Sequence, residues 1–547
     1  MLAAPSFYIF LIKQKKLDIY YNVRGDMMKK TIKYKRGKKT VEKEIIHIPM
    51  RYIVAMSLTV LEILLTIGAF AWLCLYVPYM WIVAVLLDVI CIVRLISSDS
   101  NPDYKVPWLF FILVLPIAGF MLYSMFYSRK HKRKYMKRLA ILKNKSYVKD
   151  DSGLFERIKA ENKTAYSHAK ILCDISESHL FSDTRVTYFS LGEEMYRDML
   201  EKLECAEKFI YMEYFIIEQG EFWSAVLDIL EKKAEQGVEV RVVFDDIGCM
   251  TTLPGNYAKK LRKKGIEATT FSRMRGNADN EFNNRSHRKI TVIDGKIGYT
   301  GGINIADEYI NKKQRFGHWK DGGIRLDGEG VWELTRLFCI DFGINVKKTP
   351  EQKNYMYPES DIKDGGYVVP FGDGPAPLYT RNVSKSIIQT LLSTATDYVY
   401  MTTPYLIIDN DLCQDIENTA LRGVDVKIIV PGIPDKKMVS AMTKSFYHRL
   451  LEAGVKIYEY TPGFIHSKLY LADGKYAIAG TVNLDYRSLV HHFENGVWMY
   501  NCDCIRNIEN DIVETLKKCE QVTKSSKKPN VFQRLFRSLI KIFAPLM

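Results

Sequence analysis

The chain has 547 residues, a formal net charge of +15 and 47% hydrophobic side chains. That length accommodates two or three domains with cores of their own, and the positive balance favours anionic partners, whether nucleic acid, acidic lipid or phosphorylated small molecules. Ten cysteines are scattered without metal-ligand spacing, Cys502 and Cys504 being the one close pair, which speaks for free thiols in a reducing compartment and against a disulfide framework.

Residues 1–50 read as a basic leader. Its opening stretch, MLAAPSFYIFLIK, is too short to span a bilayer, and the apolar segments that follow lie too far from the start for a signal peptide. A membrane region is expected over 51–128. Its apolar runs are Arg51 to Tyr76, Tyr79 to Ile96 and Val106 to Tyr127, each near the length of about 20 residues that crosses a bilayer. Lysine and arginine crowd both flanks, Lys29 to Arg51 and Arg129 to Arg138. The positive-inside tendency puts both flanks in the cytoplasm, but three full spans separate them. Either the third segment, with Pro107, Pro116 and Gly119, re-enters, or one basic flank is translocated. The expectation is a multi-pass protein of the cell membrane whose catalytic region is cytoplasmic. Glu62 and Asp88, near the middle of the first two runs, suit a packed polar contact between helices.

From about residue 140 the pattern changes to alternating strand and helix signals. Lys208 to Ile217 reads as a buried strand, Glu221 to Gln236 as a helix stopped by Gly237, and Val238 onward as the next strand. The second half repeats the order: strand over Tyr398 to Ile408, helix over Asp411 to Arg422, stop at Gly423, strand from Val424. Gly265 and Gly454 mark a further matching helix stop. A duplicated α/β unit follows, with one lobe expected over 129–349 and the other over 350–522.

Each half then carries the same polar signature, HRKITVIDGKIGYTGGIN from His287 and HSKLYLADGKYAIAGTVN from His466, 179 residues apart. His287 and Lys289 are two apart, as are His466 and Lys468, so on a strand each pair shares a face. Asp294-Gly295 and Asp473-Gly474 are hairpin-turn dipeptides; each Asp either fixes its turn or takes part in the chemistry. If the lobes pack about a pseudo-two-fold axis, two imidazoles and two ammonium groups converge on one site. That set suits a phosphate and is poor for a metal, since neither signature offers the carboxylate cluster that magnesium prefers; no metal and no cofactor is expected. Lys289 and Lys468 would neutralise non-bridging oxygens, and Asn304 and Asn483 could add donors. One imidazole would attack phosphorus to give a phosphohistidine; the other would protonate the leaving alkoxide and then activate the incoming hydroxyl. Glu308 and Glu494 are expected to support a histidine from behind.

After the polar linker TKSSKKPN, the last stretch places Val531, Phe532, Leu535, Phe536, Leu539, Ile540 and Phe543 on one helical face and Arg534, Arg537 and Lys541 on the other. A basic amphipathic helix closing 523–547 would lie on anionic lipid.

The paired His-x-Lys-x4-Asp motifs, each followed by a small-residue turn and Asn, resemble those of the phospholipase D superfamily. The flanking stretches GGINIADEY, GHWKDGGIRLDG, GTVNLDYRS and HHFENGVW, with NPDYKVPWLFFILVLPIAGFMLY near the start, are similar to bacterial cardiolipin synthases. The resemblance runs from residue 52 to the end; the basic leader and the third apolar run depart from the simplest layout of that family. It implies phosphatidyl transfer between two phosphatidylglycerols, giving cardiolipin and glycerol, with His287 as nucleophile and His466 as acid and base, in roles that the pseudo-symmetry makes reversible. Phosphatidylglycerol and anionic membrane lipid are then the partners, and no nucleic acid is expected. The alternative on the same motifs is a membrane-bound phospholipase D that uses water as acceptor.

Overall fold

A computed structural model describes residues 29–36, 39–46, 50–77, 79–98, 101–115, 118–120, 123, 140–142, 151–273, 284–346, 362, 366–376, 378–523, 540–541 and 544–546. Most of the leader, the basic stretch 129–138 and most of the amphipathic helix expected over 531–543 lie outside the described residues, as does the side chain of Glu62.

A short hairpin, β1 (Lys29–Arg36) and β2 (Lys39–Ile46), precedes three helices: α1 (Met50–Tyr76), α2 (Met80–Ile96) and α3 (Pro102–Val114). The first two follow the apolar runs, whereas α3 starts before the third run and ends within it, at Val114; many of their described side chains, including Leu65, Leu75, Trp81 and Leu86, are exposed. Among the described residues no helix is long and apolar enough to cross a membrane. Asp88 is buried on α2. Asn101 caps α3 by accepting the backbone N–H of Asp103, with Pro102 at the first helical position, where a missing N–H costs nothing.

The rest of the chain forms two lobes built on the same plan. In lobe 1 the strands β3 (Thr184–Phe189), β4 (Phe209–Tyr214), β5 (Glu239–Asp245), β6 (Glu267–Phe271), β7 (Lys289–Ile293), β8 (Ile297–Gly301) and, after the short β9 (His318–Lys320), β10 (Gly323–Gly328) make a seven-stranded sheet in the order β3-β10-β8-β7-β4-β5-β6. In lobe 2, β11 (Tyr367–Asp373), β12 (Tyr398–Thr402), β14 (Asp425–Pro431), β15 (Lys456–Tyr460), β17 (Leu469–Ala472), β18 (Tyr476–Gly480), β20 (Glu494–Tyr500) and β21 (Cys519–Gln521) give the order β11-β20-β18-β17-β12-β14-β15-β21. Short β13 (Leu406–Ile407), β16 (Gly463–Ile465) and β19 (Leu484–Asp485) lie outside that sheet. Strand for strand, apart from β21, one order maps on the other. In each, three parallel strands (β4, β5, β6; β12, β14, β15) continue into an antiparallel pair that carries the signature.

The local cues behave as expected. Gly237, Gly265, Gly423 and Gly454 end their helices at φ of 88°, 79°, 95° and 97°, a region open to glycine without steric cost. Asp294-Gly295 and Asp473-Gly474 both take positive φ and lead the three-residue connections between β7 and β8 and between β17 and β18.

The lobes share one apolar core. Tyr211, Ile290, Val292 and Leu326 of lobe 1 belong to the same buried cluster as Leu469, Leu471, Ala477 and Val497 of lobe 2, with the helices Val331–Asn345 and Cys504–Leu516. One boundary differs from the sequence reading. The helices Ser152–Glu161 and Lys163–Ser176, assigned to lobe 1, bury Ile158, Ala165, Ala169 and Leu172 with Val383, Ile387, Leu391 and Trp498 of lobe 2. Their apolar faces find the exposed side of the second sheet, a choice that sequence order does not dictate.

Candidate active site

Both signatures enter their sheets at the lobe interface, and each is tied to the other lobe by the same device. The backbone N–H of His287 donates to the carbonyl of Phe493 at 2.8 Å, and that of His466 to the carbonyl of Lys320 at 2.7 Å. The next residue in each partner strand is a carboxylate. Glu494 accepts from Nδ1 of His287 with both oxygens at 3.0 Å; Asp321 accepts from Nδ1 of His466 at 2.6 Å. Each imidazole is therefore oriented by a carboxylate of the opposite lobe, which leaves Nε2 for chemistry. The carboxylates are themselves fixed: the Thr481 hydroxyl donates to Glu494 at 2.5 Å, and the Gly322 N–H to Asp321 at 2.9 Å. Gly302 permits this closeness, because a Cβ there would stand 2.0 Å from Oδ1 of Asp321.

Lys289 donates to the carbonyl of His287 at 2.7 Å, and Lys468 likewise to that of His466. All four side chains are buried, the two histidines at 7% exposure. Burial pushes Lys289 down to about 7, partly offset by the Glu494 charge and reinforced by the Lys468 ammonium. Lys468 falls to about 8, again by burial, against the pull of Asp321 and Glu494. Burial likewise lowers His287 to about 3 and His466 to about 4. Although burial alone would raise them, Glu494 is held well below the usual carboxylate range by His287 and His492, and Asp321 below it by His466 and Lys468. The resting site thus holds neutral imidazoles against ionised carboxylates. Groups of one lobe shift those of the other, so the two signatures form a single electrostatic unit. Aromatic rings wall it: Phe215 lies edge-on to His287 at 5.2 Å, and Tyr309 edge-on to His466 at 5.4 Å.

Other residues of the sequence reading lie elsewhere or act differently. Asp294 and Asp473 stand at the far ends of β7 and β17 from the histidines and are not part of this cluster. The Asp294 carboxylate accepts the backbone N–H groups of Glu207, Lys208 and Phe209 at 2.8, 2.7 and 2.8 Å. Asp473 accepts those of Thr396, Asp397 and Tyr398 at 2.9, 2.9 and 3.0 Å. Of the two roles open to them, these contacts serve the first: they tie the hairpin turn to the start of the neighbouring strand. Asn304 is engaged within lobe 1, accepting from Ile216 N–H at 3.0 Å and donating to the Tyr309 hydroxyl at 2.7 Å. Asn483 donates to Asp485 at 3.1 Å, and its buried carbonyl oxygen has no hydrogen-bond partner among the described residues. Glu308 pairs with Arg315 at 3.4 Å and is not the counterpart of Glu494. That counterpart is Asp321, which the sequence reading missed; the signal was the carboxylate before a small residue and a glycine in KDGG and FENG, after strands of matching rank.

His492 was also missed. It is buried, its ring centroid is 5.6 Å from that of His287, and its Nδ1 is 3.8 Å from Glu494. With His287 and Glu494 it forms, among the described residues, a group whose donor atoms lie within 4.8 Å of one another.

The family model for the phospholipase D-like domain of cardiolipin synthases matches residues 199–315 and again 388–516, one match in each lobe. The model for the phospholipase D-nuclease N-terminal region matches 80–126. An uncharacterized protein of Streptococcus mutans is 41% identical over 465 residues, covering 83% of this chain and 99% of its own. A cardiolipin synthase of Alkalihalophilus pseudofirmus is 32% identical over 459 residues, covering 82% of this chain and 90% of its own. The crystal structure of a phosphatidylserine synthase from Haemophilus influenzae matches with a TM-score of 0.53 at 17% identity, over 70% of this chain and 99% of its own, a likeness of fold. Two signatures on duplicated α/β lobes, joined into one site and matched over most of the chain at this identity, identify the family: the chain belongs to the cardiolipin synthases of the phospholipase D superfamily.

Proposed function

We propose that the protein is a cardiolipin synthase that transfers a phosphatidyl group between two phosphatidylglycerols. The observation that carries this reading is the crossed pairing of His287 with Glu494 and His466 with Asp321 around two buried lysines. His287 attacks the phosphodiester through Nε2, forming a P–N bond as the P–O bond to glycerol breaks. His466 supplies the proton to the departing glycerol oxygen. It then takes the proton of the incoming hydroxyl of a second phosphatidylglycerol, which attacks phosphorus and frees His287. The arriving phosphate anion raises the depressed basicity of both imidazoles and both lysines, so the site charges when substrate fills it. Lys289 and Lys468 carry the growing negative charge of the pentacovalent oxygens. Asn483, with its unpartnered amide oxygen, stands in reserve for the headgroup hydroxyls.

The remaining assignments belong to the same reading: a basic leader, a membrane region over 51–128, two lobes and a basic C-terminal helix. Exposed apolar side chains on α1 and α2, such as Leu65, Leu75 and Trp81, would be covered by acyl chains of a bacterial cell membrane, crossed more than once, with the lobes on the cytoplasmic side. The decisive experiment supplies labelled phosphatidylglycerol to the full-length protein in mixed micelles. Cardiolipin and glycerol are expected from the wild type and neither from His287→Ala or His466→Ala; phosphatidic acid without cardiolipin would instead make it a hydrolase.

A further inference from the structure

The start of α3 is seated on the catalytic half of the molecule at one particular loop. One oxygen of the Asp103 carboxylate, Oδ2, accepts both the Tyr486 hydroxyl at 3.0 Å and the backbone N–H of Asn410 at 2.8 Å. The Tyr104 ring lies 5.2 Å from that of His491. Beside them, Asn101 donates to Asp409 at 2.7 Å. Tyr486 is buried, and burial with the facing Asp103 charge pushes its phenol well up, so that it remains a donor.

Tyr486 and His491 bracket a single π-helical turn, Arg487–His491, closed by the His492 N–H donating to the Arg487 carbonyl at 2.8 Å. Wide turns of this kind cost hydrogen-bond geometry and persist where their surroundings hold them. The chain leaves this turn directly into the site. His492 faces His287, Phe493 exchanges backbone hydrogen bonds with Arg285 and His287, and Glu494 holds the imidazole. Only His492 and Phe493 separate His491, the end of the turn, from Glu494, and neither is a glycine that would absorb a displacement.

We propose that Asp103 is a positioning residue of the active site: by holding Tyr486 it sets the 487–491 turn and, through it, the place of Glu494 behind His287. The membrane-proximal helix is thereby a structural part of the catalytic centre, and the enzyme is fully competent only with α3 docked. The proposal rests on the reading of His287 as the attacking group. It concerns turnover, not lipid capture, because nothing in the clamp touches the phosphate site.

The test uses the full-length protein in mixed micelles of detergent and phosphatidylglycerol, counting total phosphatidylglycerol consumed. Asp103→Ala and Tyr486→Phe are each expected to lower kcat about tenfold, as displacing a reacting group by a fraction of an ångström does, with KM and vesicle binding unchanged. The double variant should be no slower than either single, since both remove one contact. Asp103→Asn keeps an oxygen that both donors can share and should restore kcat. Asn101→Ala removes the contact to Asp409 but leaves in place the Asp103 clamp on Tyr486 and Asn410 that keeps α3 docked, and should leave kcat as it was. Losses that add in the double variant, a loss confined to KM or vesicle binding, or an equal loss in Asn101→Ala would overturn the proposal. Hydrolysis in place of transfer by the wild type would overturn the synthase reading and leave this comparison of kcat values intact.

Discussion

At the level of single residues, the site's logic is that each histidine has its tautomer set by a carboxylate that its own lobe does not provide. Glu494→Gln and Asp321→Asn keep the size of the partner and remove its charge, so that neither the Nδ1 proton nor the imidazolium of the transition state is stabilised. Turnover is expected to fall by about 10²- to 10⁴-fold in each, while the melting temperature stays close to that of the wild type; a change below threefold would mean that the carboxylates are packing groups. The lysines give a second test. Their proton affinities are lowered by burial, Lys289 to about 7 and Lys468 to about 8, so both ammonium charges are present below pH 7 and are lost in turn as pH rises through these values. The free-enzyme imidazoles titrate only near 3 and 4. Because His466 must gain a proton to act as the acid, the profile of kcat/KM, which reports the free enzyme, should fall as pH rises from about 5 to 7 and fall more steeply above 7 as the lysines lose their charge. Initial rates at low lipid mole fraction measure this, and a profile that does not steepen between pH 7 and 9 would show that the lysines keep their ordinary basicity.

At the level of elements, the two Asp-Gly turns do mechanical work that their place in the motif conceals. Asp294→Ala frees three backbone N–H groups at the start of β4, and a loss of about 1–3 kcal/mol in unfolding free energy is expected, read from denaturant curves. The folded variant should retain its rate, since the carboxylate lies a strand's length from His287. This also shows which parts of the protein are legible in its sequence. Strands, helix-stopping glycines and hairpin turns are local events decided by neighbours, and the duplication repeats them in order, so the two-lobed α/β plan and the His and Lys pairs can be read directly. The Asp of each motif is left between two roles because a spacing says that residues travel together, not that they act together. Asp321 and Glu494 carry no local mark of their task. Their meaning comes from the other lobe, and Glu308, near its own motif, looks the better partner until the lobes are packed. The helices over 152–176 are misplaced for the same reason: an apolar face records that it is buried, not against what.

At the level of the whole molecule, the lobes must remain in register for a shared site to exist, and Arg288 is the residue that most directly holds them. Next to the catalytic histidine, it is 1% exposed. Its guanidinium donates to Asp341 at 2.7 Å and, across the interface, to the backbone carbonyls of Glu494 at 3.1 Å and Asp373 at 3.3 Å. Its charge also lies against a second buried carboxylate: burial pushes Glu213 and Asp341 above the usual range, Asp341 adds to the rise of Glu213, the Glu213 hydrogen bond holds Asp341 down, and Arg288 opposes the rise of both. Arg288→Met fills most of the space but strands two buried acids, which should cost about 3–5 kcal/mol. The cost carries a sign. With Arg288 gone, the folded-state proton affinity of the acids rises further above that of the unfolded chain. The stability they contribute is then fully present below the unfolded carboxylate value of about 4 and is lost as pH rises through the folded value. The variant should therefore be more stable at pH 5 than at pH 8 by a wider margin than the wild type, in which Arg288 holds the rise of both acids in check. Adding Asp341→Asn should remove most of that pH dependence, because one of the two stranded acids no longer ionises. Melting curves of the three proteins at the two pH values measure this. A pH-independent loss in Arg288→Met would mean that the arginine holds the lobes by packing alone, and that the two carbonyls it joins across the interface are incidental to the site beside them.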